Sequence, residues 1–329
     1  MTTTPILQVR GLRKLFPVKK TAFGREPARF VHAVDDVSFE LGRGEVLALV
    51  GESGCGKSTL ALTLLGLETP TAGSVLFEGR DVTHVSGPEQ KALRRQIQMV
   101  FQDPYESLNP LMTIGEIVAE PLKVHGLATG QGERAGRVRQ ALEDAGLKPA
   151  ESYMARYPHQ LSGGQRQRVV IASALVLEPA LLLADEPVSM LDVSIRAEIL
   201  TLLAELRASR GISILFITHD LATAAHFTDR VAVMYLGRIV EIGPTRQVLA
   251  YPVHPYTQAL LSVIPAPNPR LRRERIILQG DPPDPIRPAG SLAGCRFQPR
   301  CRLAEDICRN QDPALRAVGA DHEAACLLV

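Results

Sequence analysis

Along the chain the apolar positions change period several times, and each change marks an element. Val37, Phe39 and Leu41 alternate with Ser38 and Glu40. That is the two-residue period of a strand with one face in a core. A turn, GRGE, follows. Val46–Val50 (VLALV) is then apolar without a break, as in a parallel strand covered on both faces. The first forty-odd residues thus read as strands. Helical spacing begins near Lys57, with Leu60, Leu64 and Leu65 on one face. From about Asp103 to Tyr157 amphipathic spacing is broken by Gly and Pro, which predicts an inserted helical subdomain over about 103–160. Apolar runs return at Leu181–Asp185, Ile212–Thr218 and Arg230–Tyr235, with helical stretches between them. Strands that alternate with helices predict a parallel sheet flanked by helices. Prolines then crowd the chain from Pro265 to Pro288, as in APNP and DPPDP, which predicts an extended linker. The boundaries expected are a main domain over 1–262, a linker over 263–294 and a small C-terminal module over 295–329. No internal repeat is visible.

Composition narrows the possibilities. The formal net charge of the 329 residues is +2, so bulk charge predicts no nucleic-acid partner. The basic run LRRER (Leu271–Arg275) reads as solvated surface. No stretch of about 18 apolar residues occurs, and the N-terminus MTTTPILQVRG lacks the charged-then-apolar pattern of a signal peptide. These features predict a cytosolic chain that meets a membrane only through a partner. There are five cysteines, and Cys295, Cys301, Cys308 and Cys326 fall in the last module, spaced C-x5-C-x6-C-x17-C. In a reducing compartment such clustering suggests a metal rather than disulfides. The spacing is neither that of a zinc ribbon nor that of a ferredoxin. Four thiolates converging on Zn²⁺ or an iron–sulfur cluster and four free buried thiols both remain open.

The candidate chemistry lies at strand ends. GESGCGKST (Gly51–Thr59) fits G-x-x-x-x-G-K-[ST] between a buried strand and a helix, the context that makes this pattern a phosphate loop. Gly51, Ser53, Gly54, Cys55 and Gly56 offer backbone N–H groups to phosphates. Lys57 is placed for the β- and γ-phosphates, and Ser58, followed by Thr59, for Mg²⁺. Cys55 reads as a small filler. In LLLADEP, Asp185 and Glu186 end a buried strand. Asp185 is a candidate for Mg²⁺ through water, and Glu186 for the base that orients or deprotonates the attacking water. Gln102, in MVFQDP, follows another apolar run and is a candidate for Mg²⁺ and for sensing that water. His219, in FITHD, ends a strand, where a polar contact to the γ-phosphate competes with a purely structural role. LSGGQRQR (Leu161–Arg168) offers a second anion-binding helix start. Ser162 and Gln165 form an S-x-x-Q capping box. The pair Gly163–Gly164 exceeds what a cap needs, since each helical glycine costs up to about 1 kcal/mol relative to alanine. The pair therefore argues for close approach of a phosphate.

GESGCGKS, Gln102, LSGGQ, LLLADEP, SMLD (Ser189–Asp192) and His219 occur in the order found in the nucleotide-binding subunits of ABC transporters, which the chain resembles over about residues 5–250. The resemblance implies a P-loop NTPase of the α/β class: a RecA-like core with an antiparallel β layer and a helical subdomain, here followed by the small cysteine module. It also implies ATP hydrolysis in a head-to-tail dimer, where the LSGGQ of one subunit meets the ATP on the phosphate loop of the other. Ser162, Gly163, Gly164 and Gln165 would then serve the partner's ATP. A narrower resemblance rests on FPVKK (Phe16–Lys20), FQDPYESLNP (Phe101–Pro110), YPHQLSGGQRQR and HPYTQALL (His254–Leu261). These look like the ATPase subunits of bacterial dipeptide/oligopeptide importers, and most like their F-type subunits. That likeness implies adenine stacking on Phe16, with Phe23 and Phe30 nearby. It also favours a [4Fe–4S] cluster over Zn²⁺ at Cys295, Cys301, Cys308 and Cys326. The implied partners are two membrane permeases, a second ATPase subunit, most simply a different chain, and indirectly a substrate-binding protein. The implied place is the cytoplasmic face of the inner membrane, peripherally. The competing readings are an ABC ATPase of DNA repair or translation and a redox-sensing ATPase. The cargo is not written in this chain: dipeptides, longer peptides, nickel complexes and haem precursors all stay open.

Overall fold

The structure is a computed structural model that describes residues 4–18, 29–264, 275–288 and 294–329. The expectations for Phe23, for APNP and for most of the basic run at 271–275 lie outside the described residues. Strands β1 (Leu7–Pro17), β2 (Arg29–Leu41) and β3 (Val46–Val50) precede helix α1 (Lys57–Leu64) and strands β4 (Ala72–Phe77) and β5 (Arg80–Asp81). Helix α2 (Gly87–Gln96) and strand β6 (Ile97–Val100) lead into helices α3 (Pro104–Ser107), α4 (Ile114–Val124), α5 (Gln131–Asp144), α6 (Glu151–Met154) and α7 (Gly163–Leu175). The chain then runs through β7 (Leu181–Asp185), α8 (Val193–Arg210), β8 (Ser213–Thr218), α9 (Leu221–Phe227), β9 (Arg230–Tyr235), β10 (Arg238–Pro244), α10 (Thr245–Ala250) and α11 (Pro255–Ser262). Strand β11 (Ile286–Pro288), helix α12 (Asp306–Asn310) and strands β12 (Arg316–Gly319) and β13 (His322–Ala324) complete it. Among the described residues no helix is long and apolar enough to cross a membrane.

The chain divides into two compact units. One is built mainly from Leu41–Glu45 and His84–Phe216. In it β6 and β7 pair in parallel, with Ile97 opposite Leu181 and Val100 opposite Ala184. Every residue of β7 is buried, which is why that strand reads as one apolar run. The expected helical insert is present. Thr113 and Glu116 close a capping box on α4, which buries Ile114, Ile117, Val118 and Leu122 at helical spacing. Helix α4 packs on α5, α6 and α7. Helix α8 is bounded by Asp192, whose carboxylate accepts from the Ile195 N–H, and by Gly211 in the left-handed region.

The other unit comprises Leu7–Glu40, Val46–Thr83 and Ile217–Val329. It holds the expected antiparallel layer, in the order β11-β2-β1-β4-β5. Along Val37–Leu41 burial alternates residue by residue, as the period predicts. Strand β3 pairs in parallel with β9, and β9 and β10 form an antiparallel pair. The expected linker is partly structured. Ile286–Pro288 pairs with Arg29–Val31 at the edge of the layer, where a proline's missing N–H costs no ladder bond.

The C-terminal segment is not a module set apart, as the sequence suggested, because it is built into this second unit. Strand β13 adds to β10, with Glu241 opposite Ala324. Phe297 is 2% exposed and sits in the core cluster with Val50, Val233, Tyr235 and Tyr256. Its ring meets Tyr235 edge-on at 5.3 Å, Tyr256 at 5.4 Å and His254 at 5.5 Å between centroids. Buried charges fix the same segment. Arg296 pairs with Asp35, which also meets His32 and Arg13. Burial pushes the Asp35 carboxyl up, but Arg296 and His32 outweigh it and hold it below the usual range. The fully buried Glu241 accepts from the N–H groups of Val253 (2.8 Å) and His254 (2.9 Å), and its other contact is His322 Nε2 at 2.8 Å.

Two predictions follow from this packing. Phe297→Ala should destabilise the chain by about 3–5 kcal/mol, the scale of a large-to-small core change, read as a lower denaturation midpoint. An unchanged midpoint would mean the segment does not fold with the core. His254 Nδ1 caps α11 by accepting from the Tyr256 N–H at 3.1 Å, and burial pushes its pKa down from 6.5 to about 4. The folded form therefore binds fewer protons than the unfolded chain between those values. This contribution is complete above pH 6.5 and declines as pH falls toward 4. The decline is at most about 1.4 kcal/mol per pH unit. His254→Asn keeps a capping side chain and should flatten that slope in denaturation measured from pH 7 to pH 5.

Candidate functional site

The phosphate loop joins β3 to α1 in the second unit. A Cβ on Gly51 would run into the Met234 carbonyl, and one on Gly56 into the Ala33 carbonyl. Gly54 and Gly56 also lie in the left-handed region, at φ 78° and 107°. Helix α1 starts at Lys57 with no side-chain cap at Gly56, so its first N–H groups are left for a ligand. The Lys57 ammonium is buried and donates to the carbonyls of Gly51 (2.8 Å) and Glu52 (3.0 Å). Ser53, Gly54 and Ser58 are exposed, and Thr59 is half-buried. Cys55 is buried against Lys57, 3.8 Å from Nζ to Sγ. Burial outweighs the lysine and pushes the Cys55 thiol up, so a helix start does not activate this thiol. Phe16, on β1, is half-exposed and lies 4.7 Å beneath the Lys14 ammonium. Phe30 lies in β2, opposite Arg287. His219 is exposed in the turn after β8, just before Asp220, whose carboxylate caps α9 through the Ala222 N–H.

The other site residues belong to the first unit. Asp185 is buried at the end of β7, and Glu186 follows in the left-handed region at φ 46°, an uncommon conformation for a residue with a Cβ. The turn after it is closed by Ser189, whose N–H (3.2 Å) and hydroxyl (3.0 Å) both donate to the Glu186 carbonyl. Gln102 donates through Nε2 to Glu186 Oε2 at 3.1 Å. Two residues picked separately from the sequence, 84 positions apart, are thus in direct contact. At α7, Ser162 Oγ accepts from the Gln165 N–H (3.3 Å) and the Gln165 side chain accepts from the Ser162 N–H (3.0 Å), so the capping box is formed.

The two glycines of that helix have different reasons. A Cβ on Gly164 would clash with Ile195 Cγ2. The chain's own packing therefore already accounts for this glycine, so its presence is no evidence for ligand approach. A Cβ on Gly163 would meet only Tyr105 Oη at 3.6 Å and Leu191 Cδ2 at 3.7 Å, ordinary contacts. Packing within the chain gives no reason for Gly163.

Comparison with known proteins gives the family of the chain. The sequence matches the ABC transporter family over residues 34–189 and the C-terminal region of oligopeptide/dipeptide transporters over residues 240–308. It is 48% identical over 327 residues to a putative peptide import ATP-binding protein of Brucella ovis, with 99% of each chain covered. It is 46% identical over 326 residues to the oligopeptide transport ATP-binding protein AppF of Bacillus subtilis (98% and 97% covered). It is 50% identical over 313 residues to the dipeptide transport ATP-binding protein DppF of Haemophilus influenzae (95% and 93% covered). The chain belongs to the ATP-binding proteins of ABC transporters. Among solved structures it resembles the ATP-binding cassette MJ0796, a dimer in a post-hydrolysis state bound to ADP and Pi. The TM-score is 0.63 at 32% identity, covering 73% of this chain and 99% of that one. The family resemblance read from the motifs is borne out, and this ABC protein is an ATPase.

The described residues do not support the iron–sulfur expectation. Among the described residues, which include all four C-terminal cysteines, no group of three or more His, Cys, Asp or Glu side chains is placed to hold a metal ion. Cys308 and Cys326 are buried, Cys295 and Cys301 half-buried, and all are free thiols. Burial pushes Cys295 up to about 11 and raises Cys301 as well, with smaller contributions from the neighbouring cysteines. The four cysteines are free thiols in this structure, which does not support the expected [4Fe–4S] cluster or Zn²⁺.

Sequence reasoning missed the role of Glu52, inside the phosphate loop. Its N–H donates to Tyr256 Oη at 3.0 Å, and its carboxylate accepts from Arg300 Nη1 at 2.9 Å and Nη2 at 3.3 Å. No local signal could have found a pair 248 positions apart.

The contrast between the glycines is testable by stability alone. Gly164→Ala should cost about 1–3 kcal/mol through overpacking on Ile195. Gly163→Ala should be neutral or stabilising by up to about 1 kcal/mol. Equal midpoints for the two variants in thermal denaturation would refute the assignment.

Proposed function

We propose that this ABC ATPase powers import of di- or oligopeptides, working as one half of a head-to-tail dimer beneath a pair of membrane permeases. The observation that carries the reading is the Gln102–Glu186 hydrogen bond, in a chain that shares nearly its full length with peptide import ATP-binding proteins. Gln102 opens the stretch that leads into the helical insert, and Glu186 is the proposed base. A change at either residue therefore reaches the other through one contact.

The reaction is attack of water on the γ-phosphate of ATP, giving ADP and phosphate. Positioning and charge stabilisation account for most of the catalysis. Lys57 and the backbone N–H groups of Gly51, Ser53, Gly54, Cys55, Gly56, Ser58 and Thr59 neutralise phosphate charge, and Phe16 offers a ring face to the adenine. Ser58, Gln102 and Asp185 are the donors we assign to Mg²⁺, an all-oxygen set that suits a hard divalent cation. When bound there, Mg²⁺ would supply neutralising positive charge. Glu186 takes or orients the proton of the attacking water, and His219 makes a polar contact to the γ-phosphate. Ser162, Gly163, Gly164 and Gln165 serve the ATP of the second ATPase subunit, which we take to be a different chain. Gly163 supports this, since packing within the chain does not account for it.

Docking on the permeases is assigned to the stretch around Gln102–Glu120. Phe101, Tyr105 and Leu111 are 42%, 58% and 86% exposed there, more apolar surface than a polar partner would need. The chain would sit peripherally on the cytoplasmic face of the membrane, and an external substrate-binding protein would select the peptide. No observation favours a role in DNA repair, translation or redox sensing.

In the assembled transporter, Glu186→Gln should keep ATP affinity while lowering hydrolysis by about 10²–10⁴-fold, the usual worth of a general base. ATP binding and phosphate release measured on the same preparation check this. A normal turnover rate would assign the base elsewhere.

A further inference from the structure

We infer that Arg300, together with Tyr256, is a positioning residue for ATP binding that acts on the phosphate loop through Glu52. The inference rests on the ATPase reading and goes beyond its motifs, since neither residue belongs to them. Glu52 has three polar groups, and all are engaged. Its N–H goes to Tyr256 Oη, its carboxylate to both terminal nitrogens of Arg300, and its carbonyl to the Lys57 ammonium. The residue that helps to hold the phosphate-binding lysine is therefore itself held from the C-terminal segment.

The mount is rigid. Tyr256 is fully buried, 4.7 Å from the Tyr235 ring and 5.4 Å from Phe297. Arg300 ends the short turn Gln298–Arg300 that directly follows Phe297. Its side chain is 8% exposed, against 29% for Glu52. Burial alone would weaken the charge on Arg300, but Glu52 and Tyr235 together outweigh it and raise the guanidinium above its ordinary pKa. A two-pronged contact of this kind fixes direction as well as distance. The loop needs such support, because its outer turn has little of its own. Ser53 and Gly54 are exposed, and a Cβ added at Gly54 would meet nothing within 4 Å.

The test uses the full-length chain with Arg300→Ala, Arg300→Lys, Glu52→Gln and the double variant Glu52→Gln/Arg300→Ala. ATP affinity is read by titration, kcat and KM in the assembled transporter, and the denaturation midpoint separately. Arg300→Ala is expected to weaken ATP binding and raise KM by about tenfold, the scale of one charge-assisted contact, with a smaller change in kcat. Arg300→Lys should recover only part of the loss, because a point charge cannot reproduce the fork. Adding Arg300→Ala to Glu52→Gln should cost nothing further. Unchanged KM with a lowered midpoint would reduce Arg300 to a structural brace and overturn the inference. So would independent, additive effects of the two single variants. If Arg300→Ala does not fold, Arg300→Lys and Glu52→Gln decide it by the same KM readout. A wild-type chain that does not bind ATP would overturn the ATPase reading itself. Wild-type binding with no loss in these variants would overturn this inference alone.

Discussion

The constraint on which the rest depends is the close approach of backbone to backbone at the junction of β3 and α1. Gly51 and Gly56 lie so near the carbonyls of Met234 and Ala33 that no side chain fits between them. The turn must therefore spend glycine at its inner positions, and two of its residues take left-handed angles. The result is a helix that begins with no side-chain cap, an arrangement that leaves donors unsatisfied unless an anion takes them. The start of α7 is built differently. There Ser162 takes the Gln165 N–H and Gln165 takes the Ser162 N–H, so local groups already satisfy two of its donors. The two helix starts look alike in sequence, but only the first is bare. A role for the second must rest on the groups that its capping box does not consume.

How much of this was legible depended on the range over which each signal acts. The strands β3, β7 and β9 announced themselves because burial on both faces forces an unbroken apolar run. The alternation of Val37–Leu41 and the helical spacing of the insert were equally local. Strands β5, β12 and β13 were not visible. Each has two to four residues, too few to show a period, and β13 also pairs with the distant β10. The glycines of α7 show a subtler failure. A helix glycine can be demanded by a ligand or by a neighbouring side chain, and composition cannot tell which. Ile195 accounts for Gly164, thirty-one positions away and on another helix.

The C-terminal segment carries the larger lesson about fold and function. Its anchors are an aromatic side chain in the core, the buried or half-buried ion pairs Arg296 with Asp35, Arg300 with Glu52 and Arg238 with Asp312, and the contact of His322 with Glu241. Buried ion pairs add little net stability, because desolvation offsets attraction, but removing one partner leaves a costly charge behind. Such pairs therefore mainly exclude other placements of the segment, while Phe297 provides the burial that holds it down.

The cassette MJ0796 matches 73% of this chain, whereas the peptide import relatives match 95% or more of it. The additional length shared with those relatives need not be an appendage. In this chain the residues after 294 complete a sheet, fill a core and contact the phosphate loop within one unit. A segment that closes the core of its own unit cannot shift without disturbing Phe297, and Arg300 stands three residues from Phe297 with its guanidinium on Glu52. Packing and nucleotide handling are thereby joined over a very short span of chain.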